Sequence, residues 1–82
     1  MKLRVLFFAS LREITGTEEL EWPWPAAGDS VAVLLEQLFE RFPRLRDWES
    51  RLLVAADCEY AGRDAQLLPG QEVAVMPPVQ GG

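Results

Sequence analysis

The chain has 82 residues, 8 of them Lys or Arg against 13 Asp or Glu, a net charge of −5, no histidine and one cysteine. That is one domain's length, and a 49% hydrophobic share supports a packed core rather than disorder. The composition excludes Ser–His and Cys–His nucleophiles, histidine metal ligands and a disulfide framework, and the acidic balance argues against a nucleic-acid partner.

Residues 2–9 (KLRVLFFA) predict a strand, being rich in β-branched and aromatic residues with no Gly or Pro. Parity puts Leu3, Val5, Phe7 and Ala9 on one face and Lys2, Arg4, Leu6 and Phe8 on the other. The apolar run at 5–9 is too short for a signal peptide. No stretch approaches the ~20 apolar residues of a membrane span. With a single free thiol, a soluble cytoplasmic protein that touches no membrane is the expectation.

Residues 10–16 (SLREITG) predict a short helical turn. Ser10 and Glu13 have the spacing of a capping box, and Gly16 has the place of a C-terminal stop. Residues 17–22 (TEELEW) predict an antiparallel edge strand, and Pro23 and Pro25 then open a connection through residue 29.

The clearest element starts behind Ser30, a candidate N-cap. Val31, Leu34, Leu35, Leu38, Phe39 and Phe42 recur at the spacing of one helical face, and Pro43 ends the helix after Phe42. Residues 44–51 read as a charged connection anchored by Leu45 and Trp48. Residues 52–56 (LLVAA) fit a buried strand, 57–59 (DCE) a turn, and Tyr60-Ala61 a short returning strand. Pro69-Gly70 marks another turn, and 71–76 (QEVAVM) a last strand with Ala74 and Met76 opposite Val73 and Val75.

This order, β-β-α-β(-β)-β, implies an α+β fold. One main helix crosses a mixed sheet of four to five strands, and the long connection lets the last strand pair in parallel with the first. That is a β-grasp, the ubiquitin-like architecture, over residues 1–76.

Residues 77–82 (PPVQGG) read as an extended flexible tail. Pro77 and Pro78 hold the backbone near polyproline II, and Val79 and Gln80 lead to Gly81 and Gly82, which lack the Cβ that would keep another surface at a distance. Two final glycines at ordinary usage arise in roughly one chain in 200. Such a tail threads a narrow channel and presents its last carboxylate to a reagent.

The chain resembles the MoaD-type sulfur carriers, the ubiquitin-like small subunits of molybdopterin synthase. The resemblance rests on VLFFASLREITGTEEL (5–20), EVAVMPPVQGG (72–82), the helix ending in FPRL and the LLVAAD strand, so it covers nearly the whole chain. It implies that an E1-like partner consumes ATP to adenylate Gly82, that sulfur replaces an oxygen there, and that the thiocarboxylate tail enters the large synthase subunit. There it donates sulfur to a cyclic pterin precursor within a heterotetramer. The chain itself is then a non-catalytic subunit with no bound cofactor or metal. The resemblance further assigns Phe8, Tyr60 and Met76, with the tail, to partner binding. Parity separately sets Phe8 and Met76 opposite Phe7 and Val75.

The family commonly carries Asn in the turn after the third strand, where this chain has Ala56-Asp57. The alternatives are a related carrier for thiamine or tRNA thiolation, a ubiquitin-like protein modifier, and an adaptor whose tail is never activated. Having Lys2 as its one lysine suits a carrier that must avoid acylating itself. Cys58, between two carboxylates and with no histidine to activate it, reads as non-catalytic. Asp57, Glu59 and Asp64 lack the ligand spacing of a calcium loop. Trp22, Trp24 and Trp48 read as satellite core packing. Glu13, Glu18, Glu19 and Glu21 make one end acidic, suited to steering toward basic partners.

Overall fold

The computed structural model of the chain describes residues 1–78. Strand β1 (Lys2–Phe7) and edge strand β2 (Glu19–Pro23) form an antiparallel pair joined through helix α1 (Leu11–Thr15). The two-residue strand β3 (Asp29–Ser30) leads into helix α2 (Val31–Arg41), and a 3₁₀ helix (Pro43–Arg51) follows. Strands β4 (Leu53–Ala56), β5 (Glu59–Tyr60), β6 (Gln66–Leu67) and β7 (Glu72–Met76) complete the fold.

The main sheet has five strands in the order β2-β1-β7-β4-β5. Its centre is the parallel pairing of the first and last strands, with Val5 opposite Val73 and Phe7 opposite Val75. This is the expected β-grasp.

Helix α2 explains why one face of the sheet is dry. Val31, Leu34, Leu35, Leu38 and Phe39 are all buried against Leu3, Val5, Phe7, Val54, Val73 and Val75. Phe42 follows as the C-cap and sets its ring edge-on to Phe7, centroids 5.8 Å apart at 79°. Ser30 caps the helix: with extended backbone (φ −81°, ψ 161°), its Oγ accepts from the Val33 N–H at 3.2 Å. No polar or charged residue is buried among the described residues.

Several expectations need correction. β1 stops at Phe7, because Ala9 turns to φ +53° and starts the turn into α1. Ser10 makes no side-chain cap, since its own backbone is already helical (φ −61°, ψ −19°) and its hydroxyl is carried away from the first N–H groups. α2 ends at Arg41, one residue early. The charged connection after it is a 3₁₀ helix, anchored by fully buried Leu45 and partly buried Trp48. The returning strand is Glu59–Tyr60. The pairing of β3 with β6 was not expected at all.

Trp22 and Trp48 pack partly buried against the core as satellites, whereas Trp24 is a member of the core itself. Trp24 is buried and donates its indole N–H to the Leu67 carbonyl at 2.8 Å, while Trp22 donates to Gln37 Oε1 at 2.7 Å.

Candidate functional site: the open face of the sheet

Among the described residues no element covers the sheet face away from α2, and strand register decides what lies on it. Leu6 stands opposite Ala74, Ala74 opposite Ala55, and Ala55 opposite Tyr60, forming one row across β1, β7, β4 and β5. A second row pairs Met76 with Leu53. Phe8 continues it beyond the end of β1, donating its backbone N–H to the Val75 carbonyl at 3.1 Å. These residues make an apolar half-face. Phe8 is 40% exposed and Tyr60 74%, two of the four large hydrophobic residues left in solvent among the described residues.

The other half of the face is ionic. Arg4 donates to both carboxylate oxygens of Glu19, at 2.6 and 3.1 Å, and lies 3.7 Å from Glu72. Lys2 pairs with Glu21 at 3.3 Å. The hydrogen bond from Arg4 holds the Glu19 carboxyl below the ordinary carboxylate range. Glu18 lies 3.8 Å from the Arg12 guanidinium. The acidic end read from sequence is therefore largely interleaved with cations, and only Glu13 has no ion-pair partner among the described residues.

The tail leaves from the apolar half. Because β7 runs parallel to β1, Met76 ends beside Phe8, and Pro77 and Pro78 follow, both half-buried. Of the expected site residues, the fold thus brings Phe8, Met76, Pro77 and Pro78 to one end of the face, while Tyr60 lies one row in, on the edge strand β5. Val79, Gln80, Gly81 and Gly82 lie outside the described residues.

Leu6, Leu53, Ala55 and Ala74 belong to this face although the sequence reading did not select them. The signal was available in strand parity for Leu6 and Ala74. For 53–56 it was hidden, since an apolar run reads as buried on both sides.

The hairpin carrying Tyr60 turns through Asp57 (φ +48°) and Cys58 (φ +71°), both left-handed, as a two-residue turn of type I′ requires. Cys58 is an exposed free thiol. Among the described residues no group of three or more Cys, Asp or Glu is placed to hold a metal ion, and no helix is long and apolar enough to cross a membrane. The arrangement offers a docking surface beside a narrow strand end.

Comparison with known proteins gives a consistent picture. The ThiS family profile matches residues 5–82. The chain is 33% identical over 82 residues to a molybdopterin synthase sulfur carrier subunit of Arabidopsis thaliana, covering 100% of this chain and 84% of that one. It is 38% identical over 85 residues to the protein of that name in Mycobacterium tuberculosis, covering 100% and 99%. Its fold is shared with a Pyrococcus furiosus structure described as molybdopterin converting factor, subunit 1. There the TM-score is 0.83 at 29% identity, over 96% of this chain and 99% of that one.

Proposed function

The chain belongs to the ThiS family, and on that footing we propose that it works as the sulfur-carrier subunit of a molybdopterin synthase. The single observation carrying this reading is the parallel placement of β7 beside β1, which starts the Pro77-Pro78 tail next to exposed Phe8 and half-buried Met76, on the face that also presents Tyr60. A partner that grips the apolar half-face thereby receives the tail in a defined direction.

Gly82 is the covalent site in this proposal. A carboxylate is a poor electrophile until ATP, consumed by an E1-like partner, gives it an adenylate leaving group. A sulfur donor then displaces AMP and leaves a C-terminal thiocarboxylate. In the large synthase subunit that soft nucleophile attacks the cyclic pterin precursor, and Gly81 lets the tail's backbone pass close to the walls of the partner's channel. The chain contributes no acid or base, so the catalytic groups belong to the partners. Water then hydrolyses the bond between the Gly82 carbonyl carbon and the transferred sulfur, which leaves the sulfur on the pterin and regenerates the carboxylate for another cycle.

Phe8, Tyr60 and Met76 are the docking anchors, and Pro77, Pro78, Val79 and Gln80 the spacer. The assembly is a heterotetramer of two carriers and two large subunits, working in the cytoplasm.

The test is sulfur transfer in a reconstituted synthase. Deleting Gly82 abolishes transfer while the thermal midpoint stays put, because the core lies within residues 3–75. Transfer by the shortened chain overturns the proposal. Stable conjugates to lysines of other proteins, with no pterin product, favour the modifier alternative.

A further inference from the structure

Tyr60 is the most exposed of the docking anchors, and it sits on a two-residue strand at the edge of the sheet. β5 pairs Tyr60 with Ala55 and Glu59 with Ala56. Backbone bonds hold the arm at both ends, Asp57 N–H to the Glu72 carbonyl and Ala61 N–H to the Val54 carbonyl, each at 2.8 Å. The Asp57 side chain adds a further tie from the turn to the body of the sheet.

Asp57 stands where β4 would continue its antiparallel ladder with β7. Its backbone N–H donates to the Glu72 carbonyl at 2.8 Å. The left-handed backbone then swings its own carbonyl out of line, and the carboxylate takes over that role. Oδ1 accepts the Glu72 N–H at 3.0 Å. Oδ2 accepts from Gln71 Nε2 at 3.1 Å, and Gln71 Oε1 in turn accepts the Leu68 N–H at 2.7 Å. One side chain therefore clamps the Tyr60 hairpin to the start of β7 and to the Pro69-Gly70 turn.

We propose that Asp57 is a positioning residue for partner docking, holding the β4–β5 hairpin so that Tyr60 is presented already ordered on the open face. This rests on the reading of that face as the docking surface. Ordering an exposed aromatic in advance spares the complex that ordering at the moment of binding. Without the clamp, β5 frays and Tyr60 samples positions off the face.

A double-mutant cycle tests it, using the full chain titrated calorimetrically into the large subunit of molybdopterin synthase from the same source. Asp57→Ala weakens binding by about threefold to tenfold, the range for leaving one such side chain to be ordered on binding. Asp57→Asn keeps an acceptor for the Glu72 N–H and stays within about twofold of the parent. Tyr60→Ala weakens binding on its own, and adding Asp57→Ala to it costs nothing further. A general loss of structure would instead lower affinity equally in both backgrounds.

Gln71→Ala, which removes the other half of the clamp, reads the same coupling if Asp57→Ala does not fold. Should Tyr60→Ala weaken binding while Asp57→Ala leaves it unchanged, or lowers it equally in both backgrounds, the positioning role is overturned and the docking face stands. Should Tyr60→Ala have no effect, the docking face itself fails, and the inference with it.

Discussion

Leu6 on β1 stands directly across the parallel ladder from Ala74 on β7, both half-buried on the open face. Ala74 has Ala55 on its other side, so a methyl group occupies the middle of the apolar half-face where any larger residue would rise above it. Replacing Ala74 with Arg projects a charge from the centre of the proposed interface while touching no core residue. We expect affinity for the large synthase subunit to fall at least about tenfold, as for disruption of a central anchor. The thermal midpoint should change little. Unchanged affinity, measured by calorimetry, contradicts the docking role of this face.

Cys58 carries a β-carbon at φ +71°, where glycine meets no such penalty. Cys58→Gly should therefore stabilise the domain by up to about 1 kcal/mol, the relief being partly offset by glycine's greater freedom in the unfolded chain. The same replacement at Asp57 should destabilise, because it removes an acceptor for the Glu72 N–H and the partner of Gln71. Denaturant melts of the two variants check the contrast. Two shifts of the same sign refute this account of the turn.

Much of the fold was legible because long elements carry a period. The six apolar positions from Val31 to Phe42 allow one reading, and the long connection between the first and last strands permits their parallel pairing. β3 and β6 escaped because two residues cannot display a period. The two serines make the limit concrete. Both precede helices, yet only Ser30 has the extended backbone that lets its hydroxyl cap one, while Ser10 is already turned into the helix. On the open face, Phe8, Tyr60 and Met76 stood out by size and by family likeness. Ala55 and Ala74 did not, since alanine is at home in a core, a helix or a surface, and only register put them in the row.

Asp57 also sets an acid limit on the hairpin. The hydrogen bond from the Glu72 N–H, and then that from Gln71, hold its carboxyl below the ordinary aspartate value. A carboxylate depressed on folding adds stability that is complete above its unfolded pKa, and this is lost as the pH falls through the folded value. Stability should thus hold from neutrality down to the ordinary carboxylate range and decline as the pH falls through and below it, where Asp57 and Glu19, also depressed, take up protons. Asp57→Asn should make that decline shallower. Urea midpoints at a series of pH values test this, and an identical decline in both proteins contradicts it.

The central claim is that Gly82 carries the sulfur. Its most direct test is the intact mass of the chain after incubation with its E1-like partner, ATP and a sulfur donor. The account predicts one oxygen-to-sulfur increment, located on the final residue by fragmentation and absent when ATP is withheld. A chain that leaves that incubation unmodified, or that carries sulfur on Cys58 instead, contradicts it.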